Sequence, residues 1–188
     1  MLFLSSDLHI SHDRIRIYCP ETRGHFETPV HMNIQIISNW NSKIKPEDEV
    51  IIIGDLSFTN TRETSFVLEK LHGKKTLIFG NHDNRIRNKT DFLDKHFSHY
   101  DNMMTATIDG LEIVFCHYPF KELVEKDASF KDLKFDIFLH GHKHSNICFI
   151  DSKNRMIMDV GLDGNFLMPH SWDEIKERYY GLLAKKTD

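Results

Sequence analysis

The sequence predicts an α/β protein. Short apolar runs alternate with helical patterns along the chain. The first half reads strand, helix, strand, whereas the second half carries a hairpin signal and a further strand pair. A third observation points toward function. Five of the apolar runs end in Asp, Asn or His.

Leu2-Phe3-Leu4-Ser5-Ser6 reads as a buried strand ending at Asp7. Residues 14–29 form the longest stretch before the first helix, a loop expected over the strand ends. A helix begins after Thr28, which can cap it, and Pro29 fits its first position. Val30, Ile34, Ile37, Asn41 and Ile44 follow one face, with Trp40 beside Asn41, and Lys45-Pro46 ends the pattern. Glu49 to Ile53 is a second strand, ending in Gly54-Asp55. Asn60 and Glu63 resemble a capping pair for a helix through Leu71, stopped by Gly73. Lys75 to Phe79 is a third strand, followed by Gly80-Asn81-His82-Asp83, and a short helix covers Asp91 to Phe97.

Met104 to Ile108, Asp109-Gly110 and Leu111 to Cys116 read as a hairpin. Phe135 to Leu139 is another buried strand, ending at His140-Gly141-His142. Asn146 to Ile150 and Arg155 to Asp159 form a strand pair, and Pro119 to Lys126 and Ser171 to Tyr180 are helical.

The 188 residues suggest one domain over 1–188, long enough to bury about 70% of its unfolded surface. A formal charge of −4 argues against a surface that tracks long nucleic acid, and leaves small phosphorylated molecules open as substrates. Cys19, Cys116 and Cys148 form no disulfide framework, which points to a reducing compartment. No secretion signal is expected, because Asp7 interrupts the first apolar run. No run approaches the roughly 18 residues of a membrane span. A cytoplasmic location without a membrane partner is the expectation.

Thirteen histidines are many for this length, and histidine is the commonest metal ligand. Asp7-Leu8-His9 places two ligands at i and i+2, which share a side in extended backbone. His142-Lys143-His144 repeats the logic, and Gly141 lets the backbone approach closely. Either triplet alone occurs by accident in many proteins. Asp55 adds a carboxylate that can bridge two cations, Asn81 a neutral oxygen and His117 another nitrogen. Asp7, Asp55, Asn81, His117 and His142 all fall at or just past strand ends, the edge where open α/β sheets bind ligands. Turn preference accounts for Asp and Asn there but not for the histidines.

The ordered set Asp7-x-His9, Gly54-Asp55, Gly80-Asn81-His82-Asp83, His117 and Gly141-His142-x-His144 resembles the calcineurin-like metallophosphoesterases. The resemblance implies a four-layer αββα sandwich, two mixed β-sheets face to face with helices outside. It implies two divalent metal ions, one on Asp7, His9, Asp55 and His144, the other on Asp55, Asn81, His117 and His142, with Asp55 as the bridge. It implies His82 as general acid, with Asp83 holding its imidazole in the useful tautomer.

A nitrogen and oxygen donor set suits Mn²⁺, Fe, Zn²⁺, Ni²⁺ or Co²⁺ and disfavours Ca²⁺; Mn²⁺ is expected to support activity. Arg14 and Arg85 are candidate phosphate contacts, since the guanidinium fork pairs with phosphate oxygens. His12 flanks the first motif and is placed with them. Tyr18 and Phe26 either stack on a base or pack locally, and Asn165, Phe166 and Pro169 are a candidate substrate wall. The expected activity is hydrolysis of a phosphodiester, a nucleotide or similar small molecule. The alternatives are a phosphomonoesterase and an inactive scaffold of the same fold, the latter disfavoured because every motif position is filled.

Overall fold

The computed structural model describes residues 1–187. Its first sheet contains β1 (Leu2–Ser5), β2 (Glu49–Ile53), β3 (Lys74–Ile78), β4 (His99–Asp101) and β10 (His170–Ser171), in the order β10-β1-β2-β3-β4. The first four strands are parallel, and β10 runs antiparallel to β1. The second contains β5 (Met103–Ile108), β6 (Leu111–Cys116), β7 (Ile137–His140), β8 (Cys148–Ile150) and β9 (Met156–Asp159), in the order β5-β6-β7-β9-β8. Here β6, β7 and β9 are parallel, with an antiparallel strand at each edge. Both sheets are mixed.

Alternation along each strand builds the layers. In β1 and β2, Leu4, Ile51 and Ile53 point inward and meet Ile113, Phe115, Ile137 and Leu139 of the other sheet. Phe3, Val50 and Ile52 point outward, onto the helices α3 (Pro29–Lys43), α4 (Thr61–Leu68) and α5 (Thr90–His96). On the far side, Val114, Phe138 and Ile157 pack with Leu123 of α6 (Phe120–Lys126). The result is helices, sheet, sheet, helix. The last helix, α7 (Trp172–Thr187), closes the inter-sheet core with Trp172, Ile175 and Tyr179.

The predicted helix after Thr28 is present, and the Thr28 side chain accepts from the His31 N–H. Its inner face is not the predicted one. Met32, Ile36 and Trp40 are at most 1% exposed, whereas Val30 and Ile34 stand 63% and 60% exposed. The helix carries two apolar stripes, and the larger Trp40 decides between them. Burying such side chains contributes about 1.5–3 kcal/mol each, and the Trp40 indole N–H finds the His72 carbonyl at 3.0 Å. Asn60 and Glu63 cap α4 as expected, though regular helix stops at Leu68.

Residues 14–29 are not simply a loop. They hold two single turns, α1 (Ile15–Tyr18) and α2 (Pro20–Arg23). Arg16 pins the segment by donating to the carbonyls of Phe26 and Glu27. Strands β4 and β10 went unpredicted because they are short, polar and at sheet edges. Among the described residues, no helix is long and apolar enough to cross a membrane, and the three cysteines are free.

Candidate metal centre

The carboxyl ends of β1, β2, β3, β6 and β7 lie along one edge of the sandwich. Asp7, Asp55, Asn81, His117 and His142 follow those ends by one to three residues. The backbone turns sharply there. Asp7, His9, Asp55, His142 and His144 all have positive φ, between 49° and 72°. This corrects the extended-strand argument for the two i, i+2 pairs: left-handed turns aim those side chains. Non-glycine residues seldom adopt this conformation, and such strain gathers at functional sites. At Gly141 the backbone passes so close to Ser6 and Asp7 that a Cβ would strike the Ser6 hydroxyl and an Asp7 oxygen. His142 N–H donates to Asp7 Oδ2 at 3.0 Å from the same turn.

Two atoms at the centre are orphaned. Asp7 Oδ1 and His9 Nε2 are buried without a hydrogen-bond partner among the described residues. Buried polar groups are almost always paired, so the pair marks a place for a further species. Asp7 Oδ1 lies 3.8 Å from His9 Nε2 and 3.8 Å from His144 Nε2; His9 Nε2 lies 3.7 Å from Asp55 Oδ2. The other Asp55 oxygen, Oδ1, lies 3.4 Å from His117 Nε2, which is 3.0 Å from Asn81 Oδ1. Asp55 therefore turns one oxygen to each half of the site.

The outer ring nitrogens are occupied, which directs Nε2 inward. His117 Nδ1–H donates to the Ile53 carbonyl at 2.9 Å, and His144 Nδ1–H to Asp163 Oδ2 at 2.7 Å. Donation to a carbonyl or carboxylate is how ligating imidazoles are commonly oriented. Three groups bring their donor atoms close enough to hold an ion: Asp7-His9-His144, Asp7-Asp55-His117 and, to one side, Cys19-His144-Asp163. The donors of the first two are all nitrogen or oxygen, a set suited to first-row divalent metals.

Electrostatics agree. Burial alone lowers the pKa of His117, but the Asp55 hydrogen bond and the Asp7 charge prevail and push it up to about 9. Burial also opposes protonation of His144, yet Asp163, the Cys19 thiol and Asp7 push it up to about 10. Burial raises Asp55, and His117 overrides it to hold the carboxyl at about 2. Burial works the other way at His9 and His142, whose pKa values are lowered, so the carboxylates favour protonation only of His117 and His144.

The family model of the calcineurin-like phosphoesterase superfamily domain matches residues 3–161. The chain belongs to that superfamily. The gene 66 protein of Mycobacterium phage D29 is 30% identical over 195 residues, covering 94% of each chain. A protein of unknown function from Aquifex aeolicus, AQ665, superposes with a TM-score of 0.71 at 24% identity, covering 94% of this chain and 98% of that one. A structure described as a novel archaeal phosphodiesterase gives a TM-score of 0.51 at 20% identity, covering 85% and 82%. Both share the fold of this chain.

The remaining predicted residues of this superfamily member divide. His142 reaches the same edge, its ring 5.2 Å from that of His117, but its Nε2 faces Glu122 at 3.7 Å. The His82 side chain stands 47% exposed at the rim, its Nε2 3.9 Å from Asp55 Oδ2 and its ring tilted on Phe58. Asp83 does not hold that imidazole. Its buried carboxylate accepts from the N–H groups of Asp55, Leu56 and Gly80 at 2.7–3.0 Å, tying the β2 and β3 ends together. No local signal marks this, because neighbouring residues in a motif read as a pair even when one side chain turns into the backbone.

His12 stacks on Phe58 at 3.6 Å and shares a hydrogen bond with His9 Nδ1. Burial and the neighbouring His9 lower its pKa to about 4. A neutral ring accepts from His9 rather than serving as a cation for phosphate. Arg14 is exposed and caps α1 without a side-chain bond; Arg85 is exposed and donates to the Phe58 carbonyl at 3.3 Å. Sequence reading missed Phe58, which touches the rings of His9, His12 and His82. It also missed Asp163, which lies beyond the recognised motifs.

Proposed function

We propose that this chain is a metal-dependent phosphoesterase that hydrolyses phosphodiesters of nucleotides or similar small molecules, using two divalent ions. Asp7, His9, Asp55 and His144 hold one ion, and Asp55, Asn81, His117 and His142 the other. The observation that carries the reading is the orphaned pair, Asp7 Oδ1 and His9 Nε2, beside an Asp55 whose two oxygens face opposite halves of the site. Membership of the superfamily supports the reaction class.

Divalent ions held by these residues would supply an activated water near neutral pH and neutralise charge on phosphate oxygens. The protein's part is positional. Asp163 and the Ile53 carbonyl fix the His144 and His117 rings, and His12 fixes His9. His82, at the rim and within reach of solvent, donates a proton to the departing alkoxide.

The test is turnover of bis-p-nitrophenyl phosphate and p-nitrophenyl phosphate by protein stripped with chelator and reloaded with Mn²⁺, Zn²⁺, Ni²⁺ or Co²⁺. Diester turnover restored by Mn²⁺ is the expected result. Faster turnover of the monoester would make the protein a phosphatase. No turnover with any metal would overturn the reading.

A further inference from the structure

We infer that the cavity beside His144 binds a nucleobase, clamped at its mouth by Tyr18 and Phe166. The cavity measures about 480 Å³, within the range of small-molecule sites. It adjoins the metal centre, because His144 and its partner Asp163 line it. The inference rests on the phosphoesterase reading for what happens to the substrate, but not for binding.

The floor is built by close approach. A Cβ on Gly164 would collide with the Ser145 carbonyl, so the turn Leu162–Asn165 can lie against Ser145 only with glycine there. The turn continues into Phe166 and Leu167, both left-handed, with φ of 53° and 58°. It is held by the Leu167 N–H to the Leu162 carbonyl at 2.9 Å and by the Asn39 amide to the Leu167 carbonyl at 3.2 Å. Leu167 goes into the core. Phe166 goes the other way, 88% exposed, and its ring meets no other aromatic ring among the described residues. A bulky aromatic residue fixed in a strained turn and shown to solvent is an outlier that invites a functional explanation.

Tyr18 enters from the opposite segment, at the end of α1. It is 63% exposed and leans edge-on against His12, the partner of His9, 6.3 Å away. The occupant must be flat, apolar on its faces and attached to a phosphate. A nucleobase meets those terms, and stacking on aromatic side chains strengthens binding by about 10-fold or more per base. Asn146, on the cavity wall, is exposed and its amide makes no hydrogen bond among the described residues, which leaves it for a base edge. A bare sugar phosphate uses neither ring.

Titration calorimetry of manganese-loaded protein with AMP and with ribose 5-phosphate tests the inference. AMP is expected to bind about 10-fold tighter or more, and the ratio to fall toward one in the double variant Tyr18→Ala, Phe166→Ala. Phe166→Trp, which keeps a stacking face, should preserve it. Circular dichroism checks that each variant folds. Equal affinities in the wild type, no measurable AMP binding, or a ratio that survives the double truncation would overturn the inference. Turnover of thymidine 5′-p-nitrophenyl phosphate and methyl p-nitrophenyl phosphate separates the two readings. AMP preference without turnover of either ester sinks the hydrolytic reading and keeps the base site. Turnover of both without AMP preference does the reverse.

Discussion

Arg23 and Asp163 stand 140 residues apart in sequence and form a two-pronged ion pair with both side chains buried, at 2.8 and 2.9 Å. The same Asp163 takes the Nδ1–H of His144, while Arg23 also donates to the carbonyls of Asp7 and Leu8. One buried pair thus sets the posture of two candidate ligands. Asp163→Asn should weaken binding of the first metal about 10- to 100-fold, the usual cost of losing a partner of a ligating imidazole. It should also destabilise the fold by about 3–5 kcal/mol, because Arg23 stays buried without its counter-charge. Metal titration and urea denaturation read the two effects separately. Native-like metal affinity in the variant would contradict the first.

His82 is the candidate proton donor. His82→Ala should lose about 10²-fold or more in kcat on an ester with a poor leaving group, and far less on a p-nitrophenyl ester, whose leaving group needs no proton. Metal content should stay at the wild-type level. Equal losses on both esters would reassign the residue to phosphate binding.

Asp83 is structural in this arrangement. Asp83→Ala leaves three buried N–H groups, of Asp55, Leu56 and Gly80, without their acceptor. Each such group costs about 1–3 kcal/mol. A loss of several kcal/mol in denaturant midpoint analysis is expected, with metal binding lost as the β2 and β3 ends separate. A variant as stable as wild type would show that water replaces the carboxylate freely.

His170 sets an acid limit on stability. Its side chain is buried at the strand edge, and burial, followed by the charge of Arg178, lowers its pKa to about 4. The unfolded chain takes up that proton near the ordinary histidine value, about 6.5. Between these values the unfolded state binds more protons, so stability falls as pH drops from about 6.5 to about 4, by up to about 3 kcal/mol. His170→Gln should show a shallower fall over that window in chelator-treated protein. Parallel curves for variant and wild type would refute the assignment.

The fold class, most strand positions and the ligand-bearing strand ends were legible in the sequence because each depends on local signals. Apolar runs stop at Asp55 and Asn81, Thr28 and Asn60 cap helices, and Gly141 opens a close approach. What was not legible depends on distant partners. Arg23 carries no local sign of burial, because its partner Asp163 comes from the far end of the chain. Val30 and Ile34 read as core until Trp40 claims the buried stripe. Phe58 lies three residues past Asp55 and outside every motif, so only three converging rings reveal it.

Left-handed backbone at Asp7, His9, Asp55, His142 and His144 has an evolutionary consequence. Glycine would sit at each position with less conformational cost, and asparagine is tolerated there better than most residues. Selection for folding alone therefore pulls these sites away from the carboxylates and imidazoles of the donor set. A lineage released from catalysis would no longer have a reason to carry that strain, except where Asp7 and Asp55 also accept the N–H groups of His142 and His82.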